Sequence, residues 1–175
     1  MTESENTWDK LLQIKTAGRD ETNADAYHHP YEPTPYSVLE RLADSGFFGK
    51  EDMVLDYGCG KGRVGFFLSY RTKAKADFVL MKAEEYEVPP QVNRCYFFNP
   101  FSEEILHKVM ARIIESYYEH PREIFLFFYY PADEYVAYLM RVDELEFFDE
   151  IECEDLFDGK EMRERILIFH TPFLI

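Results

Sequence analysis

The chain has 175 residues, enough for one domain with a real hydrophobic core. Hydrophobic residues make up 46 % and aromatics 17 %, which excludes a disordered chain in spite of the 30 % that are charged. The formal net charge of -15, from 34 acidic against 19 basic residues, disfavours a large nucleic-acid footprint, because such footprints are built from Lys and Arg.

Taken in chain order, residues 1–26 are polar with scattered charges and one tryptophan, Trp8, and read as a mobile or loosely helical arm. His28 to Tyr36 carries three prolines in six residues and cannot be regular structure. Ser37 opens a helix with Val38, Leu39 and Leu42 on one face, and Gly46 lies at its end, where a left-handed residue is cheap. Met53–Tyr57 is a short apolar run that stops at glycines, as a buried strand does. Arg63 to Tyr70 predicts a helix packed on a sheet, Asp77–Met81 a second strand, and Cys95–Phe98 a third that ends at Asn99-Pro100. Ser102 is placed to cap a helix with Glu103 and Glu104 in its first turn and apolar residues at helical spacing to about Tyr118. Glu123–Tyr130 is nearly all apolar, as expected of a strand covered on both faces. A helix from Asp133 follows, then two strands, Phe147–Ile151 and Arg165–His170, joined through the turn signal Asp158-Gly159. Strand and helix alternate and the chain closes on a strand pair, which argues for an α/β domain with a mostly parallel sheet and an antiparallel edge.

The informative motif is Asp56-Tyr57-Gly58-Cys59-Gly60-Lys61-Gly62, directly after a buried strand and before a helix. Gly58 and Gly60 let the backbone turn tightly and approach a ligand, and Gly62 lets the helix approach the strand. Parallel sheets bind ligands outside the carboxyl ends of their strands, where this turn sits. A nicotinamide dinucleotide fits less well, since its loop reads G-x-G-x-x-G, and a GxxxxGK[ST] phosphate loop is missing from the sequence. A purely structural turn is the bland alternative.

The stretch VLDYGCGKGRVGFFL resembles motif I of the class I S-adenosylmethionine-dependent methyltransferases, which share a Rossmann-like fold. The resemblance spans roughly residues 36 to 170. It implies that Asp56, Gly58 and Gly60 hold the methionine half of S-adenosylmethionine, with Cys59 and Gly62 as further cofactor-binding positions. Asn99-Pro100-Phe101 resembles the family's motif IV with one proline missing. This implies that Asn99 accepts a hydrogen bond from a substrate nitrogen and also borders the cofactor, while Phe101 offers a ring face to the charged methyl-transfer centre. Residues 1–35 would then form an arm and cofactor-covering loop, with Tyr31 and Thr34 against the ligand, and residues 36–175 the methyltransferase-like domain.

The resemblance also implies a strand and helix between the motif I helix and Asp77–Met81, the strand ending in an acid that binds the cofactor ribose. Only Arg71 to Ala76 lie there, and six residues cannot make a crossover, which takes at least ~10–12. The expectation is therefore a domain without that second strand, its helix or a ribose acid, through either an omitted segment or a deletion. In the next loop Lys82 stands where an acid would meet the adenine amino group, which leaves Ala83 and Glu84 as adenine-side contacts. Three dispersed cysteines, Cys59, Cys95 and Cys153, predict neither a disulfide framework nor a Cys-rich metal site. Cys59 is expected to pack, and His28-His29 is at best a remote metal candidate. With no signal peptide and no run near the ~20 apolar residues of a membrane helix, the expectation is a cytoplasmic methyltransferase. Its substrate would be a small molecule or protein, methylated at nitrogen. A catalytically silent binding or scaffolding protein on the same fold is the alternative.

Overall fold

The computed structural model describes residues 3–19, 32–79, 81–159 and 161–173. In chain order these form α1 (Glu3–Leu12), α2 (Tyr36–Asp44), β1 (Met53–Tyr57), α3 (Arg63–Thr72), β2 (Lys75–Ala76), β3 (Arg94–Phe97), α4 (Glu103–Glu119), β4 (Phe125–Tyr129), α5 (Asp133–Leu139), β5 (Glu146–Glu152) and β6 (Arg165–His170). Six strands make one sheet in the order β2-β1-β3-β4-β6-β5. The first four are parallel, and β6 inserts antiparallel between β4 and β5.

The apolar run on β4 explains its central place. Phe125, Phe127 and Tyr129 point to the face covered by α2 and α3, and Leu126 and Phe128 to the face covered by α4. Each such fully buried side chain contributes about 1.5–3 kcal/mol. At the far edge, β5 is exposed along its length, which fits its alternation of acids with Phe147 and Phe148.

Two expectations need correction. A second strand does exist, but it is Lys75–Ala76 and not Asp77–Met81. Lys73 takes a left-handed conformation at the end of α3 (φ 67°) and turns the chain at once alongside β1, so that Met53 pairs with Lys75 and Val54 with Ala76. Helix α3 is itself the crossover. What is missing among the described residues is any strand outside β2. Phe78, Val79 and Met81, which would fill it, are 45 %, 39 % and 49 % exposed. Phe78 stacks on Phe66 instead, with ring centroids 4.7 Å apart.

The arm is the second correction. Its described part is a packed helix, since Trp8 lies edge-on to Phe67 at 4.8 Å and donates its indole N–H to Glu40 Oε1 at 2.7 Å. Thr16 is fully buried beside it. Among the described residues no helix is long and apolar enough to cross a membrane, and no group of His, Cys, Asp and Glu could hold a metal. His28 and His29 lie outside the described residues, and the three cysteines are unpaired thiols.

Candidate active site

At the carboxyl ends of β1, β2 and β3 lies a cavity of about 800 Å³, within the range of small-molecule sites. The glycine turn forms its floor. Gly58, Gly60 and Gly62 all have positive φ, 77°, 50° and 79°, and Gly62 N donates to Cys59 O at 2.7 Å to close the turn. A Cβ on Gly58 would sit 2.4 Å from Pro100 Cβ, so the turn is pressed against the Asn99-Pro100 motif. Gly62 does not set the helix-to-strand approach. Its missing Cβ makes room for Phe78 and Phe66, and it is Gly65 that faces β2, where an added Cβ would lie 3.2 Å from Ala76 Cβ.

Asp56, Gly58, Cys59 and Gly60 line the cavity, as do Thr34, Ala83 and Phe101. Gly62, Glu84 and Asn99 do not, and Tyr31 lies outside the described residues. Asp56 has no hydrogen-bond or ion-pair partner among the described residues, and burial alone pushes its carboxyl up to about 8. The Cys59 thiol is also raised, by burial first and then by the Asp56 charge, which suits packing and not nucleophilic attack. Glu84 keeps a buried Oε2 without a hydrogen-bond partner among the described residues.

Three lining residues were not singled out in the sequence. Asp77 follows β2 directly and faces the cavity, so an acid does occupy the end of the second strand. The expectation that none exists fails because that strand is two residues long, too short to show as an apolar run. Tyr86 lines the same wall as Ala83. Arg63, at the start of α3, is only 2 % exposed. Its Nε donates to Thr16 Oγ1 at 2.7 Å, and its Nη1 to Glu5 Oε2 at 2.5 Å and to the Thr34 carbonyl at 3.0 Å. The guanidinium lies 4.2 Å from the Tyr36 ring centroid. Thr34 Oγ1 is in turn bonded to Tyr96 OH at 2.9 Å, so the arm, the cover segment and the strand floor are tied through one buried cation.

No protein-family model matches the chain. A protein-lysine N-methyltransferase from Saccharolobus islandicus (strain REY15A) is 39 % identical over 61 residues, 35 % of this chain. The match spans about a third (34 %) of that relative's length. Among solved structures, an rRNA methylase from Streptococcus thermophilus aligns with a TM-score of 0.49 at 12 % identity, over 82 % of this chain and 99 % of its own. A Streptococcus mutans protein in complex with SAH aligns at 0.48 and 11 %, over 81 % and 100 %. Over the segment matched to the Saccharolobus relative, the chain is similar to a protein named as a methyltransferase.

Asn99, just past the end of β3, has its amide engaged in the protein. Nδ2 donates to Tyr130 O at 2.5 Å, and Oδ1 accepts from Ala132 N at 3.1 Å. The side chain ties the end of β3 to the loop after β4. Phe98 and Pro100, its neighbours, line the cavity together with Phe101, which packs edge-on to Tyr57 and Phe97.

Proposed function

We propose that the protein is an S-adenosylmethionine-dependent methyltransferase acting on nitrogen. The observation that carries this reading is the uncompensated Asp56 carboxyl beside a glycine turn with positive φ at three positions. That pair suits a zwitterionic methionine tail, with the carboxyl meeting an ammonium and open backbone N–H groups meeting a carboxylate. Asp77 would accept from ribose hydroxyls at the end of β2. Ala83 and Tyr86 would flank the adenine, with Thr34 closing the cavity from the cover side. When bound, the cofactor supplies an electrophilic methyl group on a sulfonium. The aromatic rings of Phe98 and Phe101 would border that charge and keep water away, and positioning supplies most of the rate. The Saccharolobus relative is named for lysine in proteins, and the charge of -15 suits a basic protein better than a phosphate backbone.

Calorimetry with S-adenosylhomocysteine tests the reading. Saturable binding, weakened by Gly60→Val, is the expected result. The alternative of a non-catalytic binding protein draws on one feature, the exposure of Phe78, Val79 and Met81 after β2. A folded protein without affinity for S-adenosylhomocysteine decides for that alternative.

A further inference from the structure

Two residues other than glycine, Asn99 (φ 37°) and Tyr130 (φ 49°), hold left-handed conformations next to each other at the ends of β3 and β4. The Asn99 amide locks the pair. Such strain costs about 1–3 kcal/mol per residue and persists where a specific geometry is required. The geometry here is aromatic. Phe98, which lines the cavity, lies 4.7 Å from Tyr129 and 6.5 Å from Tyr130, and Tyr129 lies 6.2 Å from Tyr130.

Carboxylates surround these rings. Tyr129 OH donates to Glu164 Oε2 at 2.6 Å. Glu161 and the cavity-lining Glu32 are close enough to act on the Glu164 carboxyl, which burial and these two charges raise above its ordinary value. Among the described residues, Arg163 is the guanidinium that meets the Tyr130 ring. Arg163 lies 4.7 Å from the Tyr130 ring centroid, half-exposed, with its Nε 3.6 Å from Glu161. A cation already occupies one face of that ring.

We propose that Phe98, Tyr130 and Glu164 form the acceptor entrance of the cavity and select the side-chain amine of a lysine in a basic protein segment. This rests on the methyltransferase reading and names its substrate class. Asn99 is then a positioning residue that shapes the entrance through the Tyr130 carbonyl and does not itself touch the amine. The lysine arrives as an ammonium, which rings and carboxylates favour together. It gives one proton to water. The nitrogen lone pair forms the new N–C bond as the S–C bond breaks. The electron pair of that bond stays on sulfur as a thioether, and the product leaves as a methylammonium. A nucleotide acceptor would bring phosphates toward Glu32, Glu161 and Glu164, which opposes it.

The test uses the full chain with labelled S-adenosylmethionine. The substrates are an arginine-flanked peptide with one lysine, the same peptide with norleucine in its place, and a single-stranded oligoribonucleotide. Methylation of the lysine peptide alone is expected. Tyr130→Leu and Glu164→Gln should each raise its KM about five- to ten-fold, with Tyr130→Phe close to wild type. Calorimetric affinity for S-adenosylhomocysteine should change by less than about two-fold in all three, which also reports that they fold. Binding of S-adenosylhomocysteine without transfer to the lysine peptide overturns the substrate assignment and leaves the cofactor reading intact. So does transfer to RNA alone, or a peptide KM indifferent to Tyr130→Leu and Glu164→Gln. No binding of S-adenosylhomocysteine by the wild type overturns both.

Discussion

The Asp56 carboxyl allows a prediction in which stability and ligand binding move in opposite directions. Its ordinary value is 3.8, and burial raises it to about 8. The folded chain therefore holds this proton more tightly than the unfolded one. Stability associated with Asp56 is fully present below about pH 4 and is lost as pH rises toward 8, at up to about 1.4 kcal/mol per pH unit. Asp56→Asn has nearly the same shape and no proton to lose. Other titrating groups cancel in the difference between the two proteins, so between pH 5 and 7 the variant should gain about 2–3 kcal/mol on the wild type. For a chain of this size that is a shift of about 4–10 °C in the difference of Tm, readable by calorimetric melting at the two pH values. An ammonium brought to Asp56 lowers its pKa, so the wild type should release a proton on binding S-adenosylhomocysteine near pH 7. Binding heats would then differ between phosphate and Tris buffers by the buffers' ionisation enthalpies. Asp56→Asn should bind more weakly and release none. A pH-independent gap in Tm together with buffer-independent heats would refute the account, since Asp56 would then be ionised and solvated in the free protein.

Three further outcomes follow from the same geometry. Gly58→Ala puts a Cβ 2.4 Å from Pro100 Cβ at a φ of 77°, and should cost about 2–4 kcal/mol of stability in denaturant unfolding, seen with or without ligand. Arg63→Met leaves Glu5 and Asp9 without their cation and should destabilise by about 3–5 kcal/mol; limited proteolysis should then cut within residues 3–19 before the rest of the chain. Asp77→Asn, exposed at the end of β2, should leave Tm within about 1 °C but weaken S-adenosylhomocysteine by about ten-fold, while a change in Tm alone would reassign it to structure.

The elements that were legible in the sequence are those whose period and burial agree. β4 is apolar at every position because both faces of the sheet are covered, and α4 repeats its apolar residues at helical spacing because one face is buried. Position alone also predicted Ser102 as a cap; it does stand before α4, but its hydroxyl makes no capping bond and is buried without a partner. The opposite failure occurs at Asp77–Met81. Its apolar residues look like a strand, yet a strand needs a neighbour to pair with, and the short β2 returns to β1 first. The apolar pattern survives there as exposed surface.

The site divides along a similar line. The glycine turn is local, with seven consecutive residues fixing its conformation, so its shape could be read without coordinates. The roles of Arg63 and Asn99 depend on partners 47 and 31 residues away, and neither residue type announces a clamp. Arg63 read from the sequence is only the first residue of a helix packed on a sheet; in the fold it is the fixed point where arm, cover and floor meet. Asn99 read from motif resemblance is a substrate ligand; in the fold both ends of its amide are spent on the loop after β4. A motif preserves which residue type occupies a strand end, whereas the amide's partners are set by the connection that reaches it from the next strand. In this chain that connection carries Tyr130, so the acceptor face proposed above would come from the loop after β4, with the motif residue holding it in place.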